Sequence, residues 1–255
     1  MRIGLIGAGN MASALARGLG QPLLVHDPQR ERAEALVAQL GGEVCASNRE
    51  LAERAELVFL CCKPAQLEAV APELRGVARA VASVLAMTPL DRLEQAIGPP
   101  TALYRLMPNL PVAVGRGVIA YVPGPRAEEG PAQQLLALLA RAGRVVEIEE
   151  QQLDALMALA SCGPAFVARF LDELARAGAR LGLAPELARE LAMATAGGTV
   201  AYLEQTGLTP TELERQVATP GGATERGLAE LDRLGLQEAV AAALARAAGV
   251  GVESR

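Results

Sequence analysis

From Arg2 to Ile148, short apolar runs alternate with stretches whose apolar residues recur every three or four positions. "RIGLIG" is strand-like, and "NMASALARGL" behind it has helical periodicity. The alternation repeats in "LLVH" and "PQRERAEALVAQL", where Pro28 sits at a helix start. A brief "EVC" follows, then the wholly apolar "ELVFLCC" with "AQLEAVAPEL", and "ARAVASVLA" with "PLDRLEQAI". "ALYRLM", "GVIAYV", "AQQLLALLARAG" and "RVVEI" close the series. Strands alternating with helices of this length predict parallel pairing in a doubly wound α/β sheet. The pattern changes near Glu149. Helices alone are expected at Gln151–Ala160, Pro164–Leu181, Pro185–Leu203, Pro210–Val217, Thr224–Leu234 and Leu236–Ala248. Two domains follow, 1–149 and 150–255. "QQLDALMALA" and "ELARELAMATAGGTVAYL" are apolar around much of their circumference, so a second subunit is expected to cover this helical half.

Composition narrows the chemistry. The chain is 51% hydrophobic but only 2% aromatic, without Trp, so its core must be Ala, Leu and Val and base stacking is not expected of it. A net charge of −5 with no basic block argues against nucleic acid. The first apolar stretch is a short strand ending in glycines rather than a signal sequence. The uncharged run Ala155–Ala168, broken by Gly163-Pro164, has about 14 residues where a bilayer needs roughly 20, so no membrane association is expected and a cytoplasmic location is. Cys45, Cys61, Cys62 and Cys162 have no metal-ligand spacing, and the adjacent pair fits a buried strand. One His and one Lys stand against 23 Arg, which removes most ordinary acid–base candidates.

Gly7-Ala8-Gly9-Asn10-Met11-Ala12 is G-x-G-x-x-A between a strand and a helix. Gly7 permits the tight turn, Gly9 lets backbone approach a pyrophosphate, and Ala12 lets the helix lie close to the sheet. The helix N-terminus offers free N–H groups to phosphate. This is a Rossmann-type dinucleotide-binding arrangement. Asp27 ends the second strand, 20 residues after Gly7, where an acid meets ribose hydroxyls. It is equally placed to cap the next helix, and Arg30 and Arg32 are near enough to meet a 2′-phosphate. His26 reads as a strand-end residue. Lys63, in "CCKP", lies at the C-terminal edge of the sheet, and Asn48 is either an N-cap or a contact on the adenosine side.

Pro220-Gly221-Gly222-Ala223-Thr224 is a second glycine turn ahead of a helix. Its N–H groups suit a carboxylate, or it is simply a glycine turn with a capping threonine. "GLIGAGNMASAL", "CCKPAQ", "YRLMPNLPVAVGRGV", "GPAF" and "VATPGGATERGL", in this order, resemble the pyrroline-5-carboxylate reductases over essentially the whole chain. The resemblance implies reduction of the cyclic imine 1-pyrroline-5-carboxylate to L-proline by NADPH or NADH. It also implies a dimer of interlocked helical domains, sometimes assembled into a decamer. Cofactor contacts are then expected at Ile6, Gly7, Ala8, Gly9, Asn10, Met11, Asp27, Arg30, Asn48, Cys61, Cys62, Lys63, Pro64 and Ala86. Gly221, Gly222, Ala223 and Thr224 are expected to hold substrate, the N–H groups of Gly222–Thr224 on its carboxylate and the Thr224 hydroxyl, the catalytic group, on its ring nitrogen. Ala160-Ser161-Cys162-Gly163-Pro164-Ala165 departs from the family's usual Ser-Gly-Ser-Gly-Pro-Ala, losing two serines. A cyclic imine arrives already protonated, so positioning matters more than acid catalysis.

Three rivals remain at this level. A β-hydroxyacid dehydrogenase shares the N-terminal pattern but uses a helical lysine, and no lysine follows Lys63. A broader imine reductase and a non-catalytic nucleotide sensor share the fold, which alone does not decide function.

Overall fold

The structure, a computed structural model, describes residues 1–249. It divides into a compact unit from Met1 to Ser161 and a second from Cys162 onward. The first contains β1 (Ile3–Ile6), α1 (Asn10–Leu19), β2 (Leu23–His26), α2 (Arg30–Leu40), β3 (Gly42–Val44), α3 (Asn48–Arg54), β4 (Leu57–Leu60) and α4 (Leu67–Leu74). It continues through β5 (Ala80–Ser83), α5 (Leu90–Ile97), β6 (Ala102–Pro108), β7 (Gly117–Pro123), α6 (Ala132–Ala142), β8 (Gly143–Glu147) and the short α7 (Leu153–Leu156).

The strands form one sheet in the order β3-β2-β1-β4-β5-β6-β7-β8. The chain reverses direction across the sheet between β1 and β4, and ligands of open α/β sheets bind at such a switch point. Alternate strand residues feed two cores. Leu5, Phe59, Ala82 and Tyr104 pack with α1, α2 and α6, while Ile6, Val58, Leu60, Val81 and Leu103 pack with α3, α4 and α5. Every residue of β1, β4, β5 and β6 is buried, as expected of strands covered on both faces.

One pairing differs from the all-parallel expectation: β6 and β7 are antiparallel, with Met107 opposite Ala120. Between them lies only the loop around a 3-10 turn at Leu110–Val114. That is too short for a crossover, so the chain folds straight back. Asn109 closes this corner. Its Oδ1 accepts from Val118 N–H at 2.9 Å, and its Nδ2 donates to Ala160 O at 2.9 Å. The second bond ties the end of the unit to the sheet and helps carry it to Ser161, beyond the change of pattern at Glu149. Glu150 makes a second tie, accepting from Arg105 Nη1 at 2.6 Å and from Leu90 N at 2.8 Å.

The expected helix Gln151–Ala160 is instead a 3-10 turn, α7 and a π turn at Met157–Ser161. Together with α8 this makes one helical run, Glu150–Arg180, long and apolar enough by length and composition to cross a membrane, with 11% of its most apolar window buried. Counting uncharged residues alone missed this, because the π turn carries the run into α8.

The second unit contains α8 (Gly163–Arg180), α9 (Pro185–Thr206), α10 (Pro210–Val217), α11 (Ala223–Arg233) and α12 (Leu236–Ala247). A Cβ at Gly178 would meet Ala188 and Leu183 at 3.4 Å, an ordinary contact, so α8 and α9 do not need a glycine there to pack. Phe166, Phe170 and Leu174 form an exposed stripe along α8, and Leu187, Leu191, Met193 and Val200 are exposed on α9.

Gly18 sets the depth of α1. A Cβ there would lie 2.1 Å from Val112 O and 2.8 Å from Ala142 Cβ. Alanine gains about 1 kcal/mol over glycine in a helix interior, whereas overpacking costs about 1–3 kcal/mol or more. We expect Gly18→Ala to lower the urea midpoint. A raised midpoint would mean that the contact yields freely.

Candidate active site

The turn after β1 is built by close backbone approach. Gly7 has φ +96°, and a Cβ on it would lie 2.8 Å from Cys61 O, at the end of β4. No larger residue fits without parting β1 from β4. Gly9 is different: its missing Cβ faces open space. Nothing inside the chain demands a glycine there, so the room is on the side a ligand would use. Asn10, Met11 and Ala12 open α1, and the first intrahelical bond comes from Ser13 N to Gly9 O. The N–H groups before it point outward without acceptors among the described residues.

Two clefts meet at this turn. One, of about 210 Å³, is lined by residues including Ile6, Gly7, Gly9, Asp27, Asn48, Cys61, Cys62 and Lys63. The other, of about 470 Å³, runs between α1 and α2 and includes Ala8, Asn10, Ser13, Arg17, Arg32 and Lys63. Gly9, Arg32 and Lys63 line both. The sequence-derived set therefore converges for the most part. Met11 turns its side chain into the core and can offer only its N–H. Pro64 and Ala86 lie outside both linings.

Arg30 lies outside both linings. It ion-pairs with Glu34 at 2.7 Å on the exposed side of α2, whereas Arg32 lines both clefts. Residues two apart on a helix sit about 200° apart, so the two arginines cannot share a face. The cleft face of α2 is Arg32, Ala35, Leu36 and Gln39. Ser13 and Arg17, which the sequence reading missed, follow Asn10 at helical spacing along α1.

Asp27 does not cap α2. Its Oδ2 accepts from Ala8 N at 2.7 Å and its Oδ1 from Gln29 N at 2.8 Å. One carboxylate thus joins the glycine turn of β1 to the turn after β2, and each oxygen keeps a lone pair for a further donor. Asn48 is not a cap either; Ser47 caps α3 through Glu50 N. Asn48 is buried, with its Nδ2 donating to Glu73 Oε1 at 2.7 Å and its Oδ1 buried without a partner. An orphaned acceptor in a cleft wall fits a donor from a bound nucleotide. His26 is a strand-end residue whose Nδ1 lies 3.1 Å from Cys45 O.

Burial raises both cleft thiols. Cys61 is pushed well above the ordinary thiol range by desolvation, with a smaller effect from Cys62, and Cys62 is pushed up to about 11, chiefly by desolvation. Both are neutral at physiological pH and offer an uncharged floor.

In the second unit, Gly221 takes φ +71° and Gly222 caps α11 in extended conformation. The N–H groups of both glycines are already used within the turn, and of the two only that of Gly222 was expected to face a carboxylate. Gly221 N donates to Glu225 Oε2 at 2.7 Å, and Gly222 N closes a turn on Thr219 O at 2.9 Å. The N–H groups of Ala223 and Thr224 and the Thr224 hydroxyl make no hydrogen bond among the described residues. The open donors therefore begin one residue later than expected. In the departing segment, Ser161 Oγ is buried without a partner.

Residues 150–253 match the family model for pyrroline-5-carboxylate reductase dimerisation, and residues 2–87 match that for NADP oxidoreductase, coenzyme F420-dependent. Pyrroline-5-carboxylate reductase from Aquifex aeolicus is 32% identical, with 94% of this chain and 92% of the relative aligned. The 1-pyrroline-5-carboxylate reductase structure from Streptococcus pyogenes superposes with a TM-score of 0.88 at 30% identity, covering 98% of this chain and 97% of that one. A Plasmodium falciparum pyrroline carboxylate reductase with NADP bound gives 0.86 at 26% identity, covering 98% and 96%. With a glycine turn at the sheet's switch point, a donor-bearing turn ahead of α11 and identity sustained over nearly its full length, this chain belongs to the pyrroline-5-carboxylate reductase family.

Proposed function

We propose that this protein reduces 1-pyrroline-5-carboxylate to L-proline with NADPH or NADH, as the last step of proline biosynthesis. The observation that carries the reading is the open donor set at the start of α11: two backbone N–H groups and one hydroxyl, all unpaired. A helix N-terminus favours a carboxylate. The N–H groups of Ala223 and Thr224 would bind that of the substrate, and the Thr224 hydroxyl oxygen would accept from the protonated ring nitrogen. Gly221 supplies the αL corner, and Gly222 holds the turn closed.

The N-terminal cleft fits a dinucleotide, because Gly9 leaves space beside unpaired N–H groups and Asn48 presents an orphaned acceptor. The first-turn N–H groups of α1 would take the pyrophosphate, Asp27 and Asn48 the adenosine side, and Arg32 a 2′-phosphate. The cofactor supplies a hydride when bound. The imine nitrogen carries its proton on arrival, so the new C–H bond leaves a neutral amine and no side chain must deliver an acid proton. This suits a chain whose one histidine is engaged at a strand end.

Residues 1–149 are read as the cofactor domain and 150–255 as the substrate and dimerisation domain. The exposed apolar stripes of α8 and α9 are assigned to a second subunit rather than to a bilayer, in a cytoplasmic dimer on which a decamer can be built. Light scattering should give at least two chains at micromolar concentration, and a stable monomer would sink the assignment.

The primary test is oxidation of NADPH dependent on the imine, with proline as product. Thr224→Val keeps shape and removes the hydroxyl. Losing a hydrogen bond to a charged partner costs about 1.5–3 kcal/mol, so we expect the imine specificity constant to fall roughly 10- to 150-fold. Near-normal kinetics with a lowered melting temperature would make the threonine structural. For the cofactor, we expect both NADPH and NADH to serve. Arg32→Ala should raise the NADPH Michaelis constant about tenfold and leave that for NADH nearly unchanged, while Arg30→Ala does neither. Equal effects on both cofactors would remove Arg32 from the 2′-phosphate.

A further inference from the structure

Among the described residues only two that are not glycine have positive φ: Arg126 at 57° and Met87 at 54°. Such backbone is unfavourable for an ordinary residue and persists only where something holds it. Arg126 has a visible return, since its Nε donates to Thr101 O at 3.0 Å and its guanidinium pairs with Glu94. Met87 has none among the described residues. It is 87% exposed, although Leu85 and Thr88 around it are buried and the Thr88 hydroxyl donates to Ala86 O at 3.1 Å. The turn is pinned on both sides and holds a large, flexible, apolar side chain out into solvent.

Its place on the sheet says what it meets. β5 runs beside β4, and Val84 N donates to Leu60 O at 3.0 Å, which sets the end of β5 next to Cys61. The C-terminal edge therefore reads, from β1 across, Gly7, then Cys61-Cys62-Lys63, then Ala86-Met87. Asp27, just after β2, lies on the other side of the glycine turn. A dinucleotide centred on α1 has its adenosine half on that side, so its other half extends over β4 and β5.

We propose that Met87 is a cofactor-positioning residue whose side chain covers the nicotinamide half of the dinucleotide. The inference rests on the nicotinamide-dependent reading above. A thioether is soft and polarizable and packs well against a ring, and a long unbranched chain can follow a ring that changes charge on each turnover. The strained backbone is then the means of keeping that chain at the edge of the sheet instead of letting it fold back into the core.

The test is Met87→Gly, a residue at ease at this φ, so the variant should fold and melt within a few degrees of the parent. The chain has no tryptophan, so the fluorescence of reduced nicotinamide itself reports NADPH binding without interference. Calorimetry measures 2′-phospho-ADP-ribose, which has the adenosine half and no nicotinamide. We expect the variant to bind NADPH about threefold to tenfold more weakly, the range a thioether–ring contact supplies, and to bind 2′-phospho-ADP-ribose unchanged. Met87→Leu, which keeps apolar bulk, should retain most of the NADPH affinity. Unchanged NADPH affinity in the glycine variant would overturn the proposal. So would an equal loss for both ligands, or a change in subunit mass with neither affinity altered, which would give Met87 to the turn or to a partner subunit. If the parent binds 2′-phospho-ADP-ribose and NADPH tightly but reduces no imine, the substrate reading fails and Met87 stands. If the parent binds neither, both fall.

Discussion

The first unit depends on how closely β1 and β4 approach at their C-terminal ends. Parallel strands that leave in opposite directions across a sheet open a crevice between their outgoing loops. Here that crevice is narrowed by backbone alone, because the space a Gly7 side chain would fill belongs to the Cys61 carbonyl. Asp27 then fixes the turn from the other side through Ala8 N–H. The glycine turn is thus held by β4 and by the loop after β2, while its outer face, at Gly9, is left free. A rigid inner side and an open outer side are what a preorganised anion site requires.

Much of this was legible in the sequence, since the relevant signals are local. The G-x-G-x-x-A run between strand and helix places its own donors, and the apolar runs of β1, β4 and β5 are fully buried as their composition suggests. Which arginine of α2 faces the cleft turns on helix phase. With Pro28 and Gln29 outside α2 the helix begins at Arg30, and that phase sends Arg30 outward and Arg32 into the cleft. Asp27 and Asn48 were read as caps or contacts because both types favour helix starts. Only long-range geometry, Ala8 N on one and Glu73 on the other, shows that neither caps. The antiparallel β6–β7 pair turns on the length of a connection rather than on the pattern within either strand. In the second turn, the sequence shows the glycines and the threonine but not which donors are already spent on Thr219 and Glu225.

The departing segment Ala160-Ser161-Cys162 shows how a unit can tolerate lost side-chain polarity. The Ala160 carbonyl is held by Asn109 through the backbone, so the contact does not depend on which side chain stands at that position. Asn109 in turn is fixed by Val118 on both its main chain and its side chain. The anchor is therefore built into the corner of the sheet.

The two adjacent thiols on the cleft floor have a consequence for chemical resilience. Alkylation and disulfide exchange both proceed through thiolate, and burial keeps Cys61 and Cys62 protonated far above neutral pH. A protein with sulfur this close to its proposed redox cofactor would ordinarily be a target for peroxide and electrophiles. Here the same desolvation that makes the floor apolar disfavours the thiolate at both positions, so alkylation and disulfide exchange at the floor would be slow.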